Sequence, residues 1–396
     1  MKQSWVCGVL MIPLLSSAMS FQAASEQAYG ASGEMIRLSG KVQSNGYERD
    51  AVLSAEPLSL EGSARRIRAD DARGEGIEYG MMVGFSMKPA GIKHAQQRQY
   101  AVRSKTFQYE QLQQQGWIQV SLKRDWLLFL LSGERMKILA DKVEVSEKGY
   151  AMGSKKFQAG RMSQMELLRL DTERQNASRE YALAAMESEH AQLRLQEITM
   201  NKGALVIDDL AFSFIRDDNG TENRIDNAAV LGVFRGREEE LNAEIDLLRR
   251  SRVERINLGV GMTQEPTQNS LDMKLTVPLV WNDRNEKKIA ALMSERSALI
   301  AQREALKDKL RLRTYGALEH LAEREKRIKE LRNNEKSYET LFHMAYKGFE
   351  GGVVPQFEYL AAKNAFYDAR LRSVGLKNDY VEEMSTLEEK LGGVWK

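Results

Sequence analysis

The sequence predicts a mainly α-helical fold, built from two long helical hairpins that are each preceded by a few β-strands. Two observations carry this prediction. Leu, Glu, Lys, Arg, Ala and Gln dominate the composition and Pro occurs only 6 times, a pattern that favours long helices. The segments Phe157–Leu168 and Phe349–Leu360 also resemble each other at a separation of 192 residues, which indicates an internal duplication.

The duplication keeps one register along the chain. Its matched positions at the predicted hairpin turns are Phe157, Gly160, Gln164 and Glu166 in the first copy and Phe349, Gly352, Gln356 and Glu358 in the second. The same separation pairs Val83 with Leu275, in two predicted strands. We therefore assign residues 24–204 to a first structural repeat and residues 205–396 to a second one.

Residues 1–23 are predicted to be a signal peptide. A positively charged start precedes a mostly apolar stretch at Trp5–Leu15, and small residues follow it up to Ser20. Cleavage is expected after Ser20 or within Phe21–Ala24. The apolar stretch is too short to remain as a membrane-spanning helix.

Alternating apolar residues predict the strands. In the second repeat they mark a hairpin with strands at Ile256–Met262 and Met273–Leu279 around a turn at Gln264–Asn269. In the first repeat the strand at Tyr79–Met87 is clear. Its expected partner near Ala64–Asp71 is rich in charge and is therefore a poor strand. Either this strand is shifted along the chain, for example to Ile67–Ala69, or the first copy diverges here from the pattern of the second.

Sevenfold spacing of apolar residues predicts the long helices. Leu292, Leu299 and Leu306 follow this spacing in a helix expected at Asn285–Met344, and its counterpart is expected at Lys93–Glu147. Sixty helical residues would extend about 90 Å, which is longer than a compact domain needs. Glycine-bearing turns at Lys156–Ser163 and Gly348–Pro355 then lead into the returning helices.

The segment between the two hairpins is predicted to carry shorter elements. We expect one or two short strands at Leu205–Phe214, a loop at Asp217–Glu222 and a helix at Phe234–Glu254. Before the first strand, Gly46–Leu60 is a weak candidate for a helix.

Composition excludes several classes of chemistry. Cys7 is the only cysteine and lies in the predicted signal peptide, so disulfides and a cysteine nucleophile are excluded after cleavage. Charges of both signs are mixed and sum to +2, so no basic tract indicates nucleic acid. His94, His190, His320 and His343 lack the spacing of metal ligands. We predict no catalytic residues, no cofactor and no metal site.

A family resemblance becomes visible once these elements are in place. Strand pair, long helix, glycine-marked turn and returning helix, duplicated once in an exported chain, resemble the TolC family of outer-membrane efflux proteins. The segment Leu275–Leu279, followed by Arg284 and Asn285, resembles the “PL…RN” end of the last barrel strand in the CzcC-like cation-efflux branch. The resemblance covers roughly residues 77–393 and is weak before residue 75.

The resemblance implies a homotrimer. Each subunit would give four strands to a trimeric β-barrel in the outer membrane of a Gram-negative bacterium, and its helices would form a periplasmic tunnel. It implies a passive conduit rather than an enzyme, which exports small solutes and has metal cations as one substrate class. The implied partners are a periplasmic membrane-fusion adaptor and an inner-membrane pump of the resistance-nodulation-division type.

The hairpin turns are the candidate site for adaptor contact or gating. Its residues are Gly160, Gln164, Glu166, Gly352, Gln356 and Glu358. In a trimer the two glutamates would place six acids around the tunnel end and favour cations. The alternative is that they are ordinary first-turn acids, which the helix dipole favours.

Two other functions fit the same elements. A type I secretion channel has the same implied fold and differs in its pump. A non-conducting periplasmic coiled-coil or adaptor protein also has long helical hairpins, but adaptors usually insert a lipoyl-like β-domain between the hairpin arms. The sequence has one hairpin per repeat and strands before it, which favours the channel.

Overall fold

A computed structural model describes most of the chain. The described residues are 18–68, 75–201, 206–215, 220–251, 253, 255–278 and 284–395. The body of the predicted signal peptide lies outside them, as does Trp281, which follows the strand predicted at Met273–Leu279.

The elements follow one another in the order that the duplication predicts. The helices are α1 (Phe21–Ala31), α2 (Gly33–Leu53), α3 (Ala90–Gln158), α4 (Gln164–Thr199), α5 (Thr221–Asp226), α6 (Ala229–Arg250), α7 (Arg284–Gly351) and α8 (Gln356–Leu391). The strands are β1 (Ala18–Met19), β2 (Ser59–Ile67), β3 (Gly76–Met87), β4 (Val206–Ile207), β5 (Ile256–Gln264) and β6 (Asn269–Thr276). Strand, strand, long helix and returning helix thus occur twice.

The predicted fold class of duplicated long helical hairpins with a few strands is confirmed. Helices α4 and α8 are each 36 residues long and begin 192 residues apart. Helices α3 and α7 contain 69 and 68 residues, which is longer than predicted. They continue past Glu147 and Met344 because no proline or positive-φ residue interrupts them before Gly160 and Gly352.

One compact unit comprises residues 1–35, 113–228 and 309–396. Its core includes Ala24, Leu122, Trp126, Leu195 and Ile207, all of which are buried. The Trp126 indole Nε1 donates a hydrogen bond to the carbonyl oxygen of Leu210 at 2.9 Å. Strands β1 and β4 pair in parallel beside this core. The segment between the hairpins is therefore packed onto the long helices of the same unit.

The second unit comprises residues 36–112 and 229–308 and contains a four-stranded antiparallel sheet. Its strand order is β2-β3-β5-β6, so β2 and β6 form its edges. Val83 pairs with Leu60 on one side and with Val260 on the other. Val260 in turn pairs with Met273. The sheet thus joins the strand pairs of both repeats.

The predicted position of the first strand was wrong. Strand β2 lies at Ser59–Ile67 rather than near Ala64–Asp71, and it does not begin at Ile67. The register places Leu60, Gly62 and Ala64 beside the apolar residues of β3. This earlier position leaves Arg68 outside the strand, and residues 69–74 lie outside the described part of the chain.

The segments outside the hairpins also differ from prediction. A 21-residue helix, α2, occupies Gly33–Leu53, where only a weak candidate at Gly46–Leu60 was expected. The helix α6 begins at Ala229, five residues before the predicted start. The last residues of the predicted loop at 217–222 begin helix α5. Packing against the rest of the protein stabilises most helices more than intrinsic propensity does, so the bounds of these elements depend on tertiary structure.

Candidate functional site

The two turns that join the long helices to the returning helices have the same backbone geometry. Gly160 and Gly352 adopt positive φ angles of 70° and 77°. In the first turn the Gly160 amide donates to the Phe157 carbonyl at 2.9 Å and the Arg161 amide donates to the Lys156 carbonyl at 2.8 Å. This pair of bonds is a Schellman motif, which satisfies carbonyl groups at a helix end.

The second turn repeats the motif with its counterparts 192 residues later. The Gly352 amide donates to the Phe349 carbonyl at 3.1 Å, and the Val353 amide donates to the Gly348 carbonyl at 2.9 Å. Glycine is the residue that adopts positive φ without a steric penalty. The two glycines therefore have a structural role in reversing the chain.

The two matched glutamates have different surroundings. Glu166 forms a capping box with Ser163, in which its carboxylate accepts from the Ser163 amide at 2.7 Å and its own amide donates to the Ser163 hydroxyl at 3.3 Å. The hydrogen bonds from the Ser163 backbone, and then from its side chain, lower the pKa of Glu166. Glu166 thus has the geometry of an ordinary first-turn helix acid, which was the alternative to a role at the tunnel end.

Glu358 is exposed and has no hydrogen-bond or ion-pair partner among the described residues. Pro355 precedes helix α8 at the capping position, and it makes no side-chain bond to the first turn. The second turn therefore lacks a capping box. Only one of the two glutamates presents a carboxylate that is not already engaged at its own helix start.

The two glutamines also differ, although they begin the two returning helices. Gln356 is buried, and its amide Nε2 donates to the backbone carbonyl of Glu166 at 2.9 Å. Gln164 is exposed. Lys156 lies 4.0 Å from the ring centre of Phe349 and donates to the Phe349 carbonyl. Gln356 and Lys156 therefore connect the two turns to each other.

Exposed apolar side chains surround the connected turns. Val353 is 85% exposed and Phe357 is 72% exposed. Met165 and Leu168 are exposed at the start of helix α4. Exposed apolar residues at such density are typical of surfaces that contact another molecule.

A cluster of aromatic residues packs between helices α7 and α8 next to the second turn, and it was not predicted from the sequence. Its members are Phe342, Tyr346, Phe349, Tyr359, Phe366 and Tyr367. The rings of Phe349 and Tyr359 stack at 4.8 Å, and those of Phe342 and Phe366 stack at 5.4 Å. Burial raises the pKa of Tyr359. The cluster fixes helix α7 against helix α8 directly behind Gly352.

Polar contacts join helix α8 to helix α3 beside this cluster. Asp141 accepts from the Tyr367 hydroxyl at 2.9 Å and from the Arg370 guanidinium at 3.3 Å. Arg370 also pairs with Glu335 of helix α7 at 3.5 Å. Tyr367 and Arg370 therefore connect helix α8 to helix α3, and Arg370 also connects it to helix α7.

Lys363 is a buried cation that sequence reasoning missed. Its side chain is 0% exposed, and its ammonium group lies 2.9 Å from Glu173 and 2.9 Å from the Ser146 hydroxyl. Burial lowers the pKa of Lys363, while Glu173 opposes this effect. The sequence feature that could have indicated its burial is the position of Lys363 on the apolar stripe of helix α8, between Tyr359 and Tyr367.

The described residues contain no group of three or more His, Cys, Asp or Glu side chains with the geometry of a metal site. Within the same residues, no helix combines the length and the apolar character needed to cross a membrane.

Comparison with known proteins is consistent with this geometry. Residues 225–393 match the family described as “Outer membrane efflux protein”. No curated protein sequence is significantly similar to the chain.

Solved structures share the fold at low sequence identity. CusC, from crystal structures on folding and transmembrane channel formation, has a TM-score of 0.74 at 14% identity, with 96% of this chain and 93% of that chain covered. The CmeC outer membrane channel of Campylobacter jejuni has a TM-score of 0.71 at 13% identity, covering 95% and 86%.

The open state of the MtrE outer membrane channel of Neisseria gonorrhoeae has a TM-score of 0.70 at 14% identity, covering 95% of this chain and 89% of that chain. These likenesses extend over nearly the whole chain, whereas the family match covers its C-terminal part. The C-terminal part of the chain is thus similar in sequence to outer membrane efflux proteins, and nearly the whole chain shares the fold of TolC-like outer-membrane channels.

Proposed function

We propose that the chain is the outer-membrane channel component of a tripartite efflux system in a Gram-negative bacterium. It acts as a passive conduit and carries out no covalent chemistry. Support comes from the family match and from the fold shared with outer-membrane channels such as CmeC and MtrE.

The exposed apolar face of the sheet in the second unit is the observation that carries this proposal. On β3 the apolar residues Ile77, Tyr79, Met81, Val83 and Phe85 are exposed, whereas the positions between them are less exposed; these are Glu78, Gly80, Met82 and Gly84. A sheet in water normally buries its apolar face against a core. An apolar face directed outward is instead what a strand presents to lipid.

The register extends this apolar face across all four strands. Leu60 of β2, Val260 of β5 and Met273 of β6 lie in one row with Val83. The opposite face carries Glu61, Glu78, Asp272 and Lys274, with small residues between them. Lipid on one face and water on the other account for both compositions.

Closure of the sheet requires other copies of the chain. The edge strands β2 and β6 leave backbone groups unpaired within one chain, and such groups are costly in lipid. Three copies would pair β6 of one with β2 of the next and close a barrel of twelve strands. This supports the homotrimer, and the sheet would then lie in the outer membrane with the helical hairpins in the periplasm.

The connected turns are proposed as the contact with a periplasmic membrane-fusion adaptor. Val353, Phe357, Met165 and Leu168 supply the exposed apolar surface for it. The carboxylate of Glu358 is available for such a contact, and in a trimer it would give three acids. Glu166 is engaged in its capping box, so we reduce the predicted ring of six acids to three.

The pump is proposed to be of the resistance-nodulation-division type, and the substrates to include metal cations. Support for this narrower assignment is the resemblance to the CzcC-like branch at Leu275–Pro278, Arg284 and Asn285; the residues of that motif at 279–283 lie outside the described part of the chain. Deletion of the gene should lower the tolerance of cells to divalent metals more than to drugs. Unchanged metal tolerance would count against the cation branch.

The contacts at Asp141 are proposed to hold the channel closed. Opening by movement of helix α8 away from helix α3 would break the bonds from Tyr367 and Arg370 to Asp141. The Asp141→Ala variant should therefore show a higher open probability in a planar bilayer. Glu144→Ala is the matched control, because Glu144 lies on the same helix and its carboxylate pairs with Lys148 of that helix.

Membrane fractionation followed by planar-bilayer conductance tests the main proposal. The protein should fractionate with the outer membrane as a trimer, and the purified trimer should conduct ions. A soluble, non-conducting monomer would instead indicate a periplasmic coiled-coil protein. Co-purification with a protein-secreting transporter in place of an efflux pump would favour the type I secretion alternative.

A further inference from the structure

A basic cavity in the helical unit shares Arg370 with the contacts proposed above to hold the channel closed, and its other cations have no role in that function. It encloses a volume of about 610 Å³ and is bounded by helices α3, α7 and α8 and by the segment that follows β4. Its cationic lining residues are Lys137, Lys329, Arg332, Arg370 and Lys377, and its acidic ones are Glu134 and Glu335. The lining thus has five cations against two acids, an excess of three positive charges.

The acids of this cavity are already engaged. Glu134 accepts two contacts from Lys377, at 2.8 and 3.0 Å, and Glu335 pairs with Arg370 at 3.5 Å. Lys329 is paired with Glu325 one helical turn earlier. Lys137 and Arg332 have neither an ion pair nor a hydrogen bond with any described residue. Two cations from different helices therefore line one cavity without an ion pair to either of its acids.

One wall of the cavity is aromatic and firmly positioned. The rings of Phe212 and Phe214 meet edge to face at 5.3 Å, and each also packs edge to face on Tyr380. The Ile215 amide donates to the Tyr380 hydroxyl at 2.7 Å, which fixes the end of the segment. This wall is formed before any ligand arrives, so binding would not have to order it.

We propose that this cavity binds a small organic anion with a flat apolar part. A carboxylate or phosphate group binds at Lys137 and Arg332, because both provide charged donors that lack a partner. The apolar part packs against Phe212 and Phe214. Inorganic anions lack the second interaction and bind more weakly, and neutral aromatic compounds lack the first.

Fluorine NMR of the purified full-length protein tests this with para-fluorophenyl phosphate as the probe. We expect the probe signal to broaden on binding, and Lys137→Gln or Arg332→Gln to raise the dissociation constant about tenfold each. Phe214→Leu should weaken binding of the aryl phosphate while leaving competition by inorganic phosphate unchanged. Lys326→Gln, an exposed change on the same helix as Arg332, is the matched control and should leave binding unaltered.

The Lys137→Gln and Arg332→Gln variants should stay folded, because both side chains are exposed and neither forms an ion pair with a described residue. An unchanged midpoint of thermal unfolding verifies this. Absence of probe binding to the unaltered protein would overturn the proposal. It would also be overturned if Lys137→Gln and Arg332→Gln behaved like Lys326→Gln. If inorganic phosphate displaced the probe at an equal concentration, the aromatic ring would not contribute to binding. If para-fluorobenzyl alcohol bound as tightly as the probe, the charged group would not contribute. Either result would contradict the proposal.

Discussion

At the scale of single residues, the hairpin turns show how one φ angle determines the path of the chain. Gly352 adopts a φ of 77°, whereas the adjacent Gly351 is the last residue of helix α7 and is not among the positive-φ residues. No atom within 4 Å would obstruct a Cβ at either position. The two glycines therefore differ in backbone conformation alone.

Gly352→Ala should lower the free energy of unfolding by about 1 kcal/mol, because a left-handed conformation is unfavourable for a residue with a Cβ. Gly351→Ala should raise it by about 0.5 kcal/mol, because alanine favours the helix. Denaturant unfolding followed by circular dichroism measures both. Equal effects at the two positions would contradict the assigned role of Gly352.

The buried Lys363 gives a second prediction at this scale. Glu173→Gln removes its ion-pair partner and should lower the free energy of unfolding by about 3 kcal/mol near neutral pH, because a buried charge is left uncompensated. Glu144→Gln breaks an exposed pair within helix α3 and should have no measurable effect.

The pH dependence of the Glu173→Gln variant follows from the lowered pKa of Lys363. The folded state holds fewer protons than the unfolded chain between the folded pKa and the ordinary value of 10.5, so stability rises with pH in that range. The loss caused by the variant should therefore shrink as pH increases toward that value. A loss that stays constant with pH would show that Lys363 is not the responsible group.

At the scale of elements, helix α3 approaches the end of helix α8 very closely. A Cβ on Gly116 would lie 1.8 Å from the carbonyl oxygen of Gly392, whereas a Cβ on Gly133 of the same helix would meet nothing within 4 Å. The neighbouring Trp117 indole donates to the Glu389 carbonyl at 3.1 Å. Backbone contact between these helices thus depends on the missing side chain of Gly116.

Gly116→Ala should lower the midpoint of thermal unfolding, because the helices must separate and overpacking costs about 1–3 kcal/mol. Gly133→Ala is the matched change and should raise the midpoint, since it improves helix propensity without a clash. Both are measured from the loss of helical circular dichroism on heating. A stabilising effect of Gly116→Ala would contradict the close approach.

At the scale of the whole molecule, the two faces of the sheet determine where the protein resides. Met81 and Met82 are neighbours in β3 and point to opposite faces. Met81 lies on the exposed apolar face with Val83, and Met82 lies on the face with Glu61 and Gly261. The same substitution made at each of these two adjacent methionines therefore compares the two faces of the sheet directly.

Met81→Arg should prevent recovery of the trimer from the outer membrane, because an arginine facing the middle of the lipid costs about 2–4 kcal/mol and occurs three times per trimer. Met82→Arg should be recovered at a normal level and change the ion selectivity of the conductance. Outer-membrane fractionation and planar-bilayer recording measure these effects. Normal membrane assembly of Met81→Arg would argue against lipid on that face.

The sequence by itself determined the features that depend on local pattern. Sevenfold spacing predicted the helices, alternation predicted three strands of the four-stranded sheet, and the constant separation of 192 residues located both glycine turns. Glycine at these positions follows from backbone sterics, which need no knowledge of distant residues. The capping box of Ser163 and Glu166 could also have been predicted from its spacing.

Only the tertiary structure decided the features that depend on pairing between distant segments. The register with β3 places β2 at Ser59–Ile67, because alternation within so charged a segment is too weak to set the strand position alone. Burial of Lys363, and the position of Lys137, Arg332 and Phe214 around one cavity, require contacts between segments that are far apart in the chain. The duplicated turns were predicted as equivalent. Of the two matched glutamines, however, Gln356 is the one that contacts the other turn, and of the two matched glutamates, Glu358 is the one whose carboxylate has no partner among the described residues, because their neighbours differ.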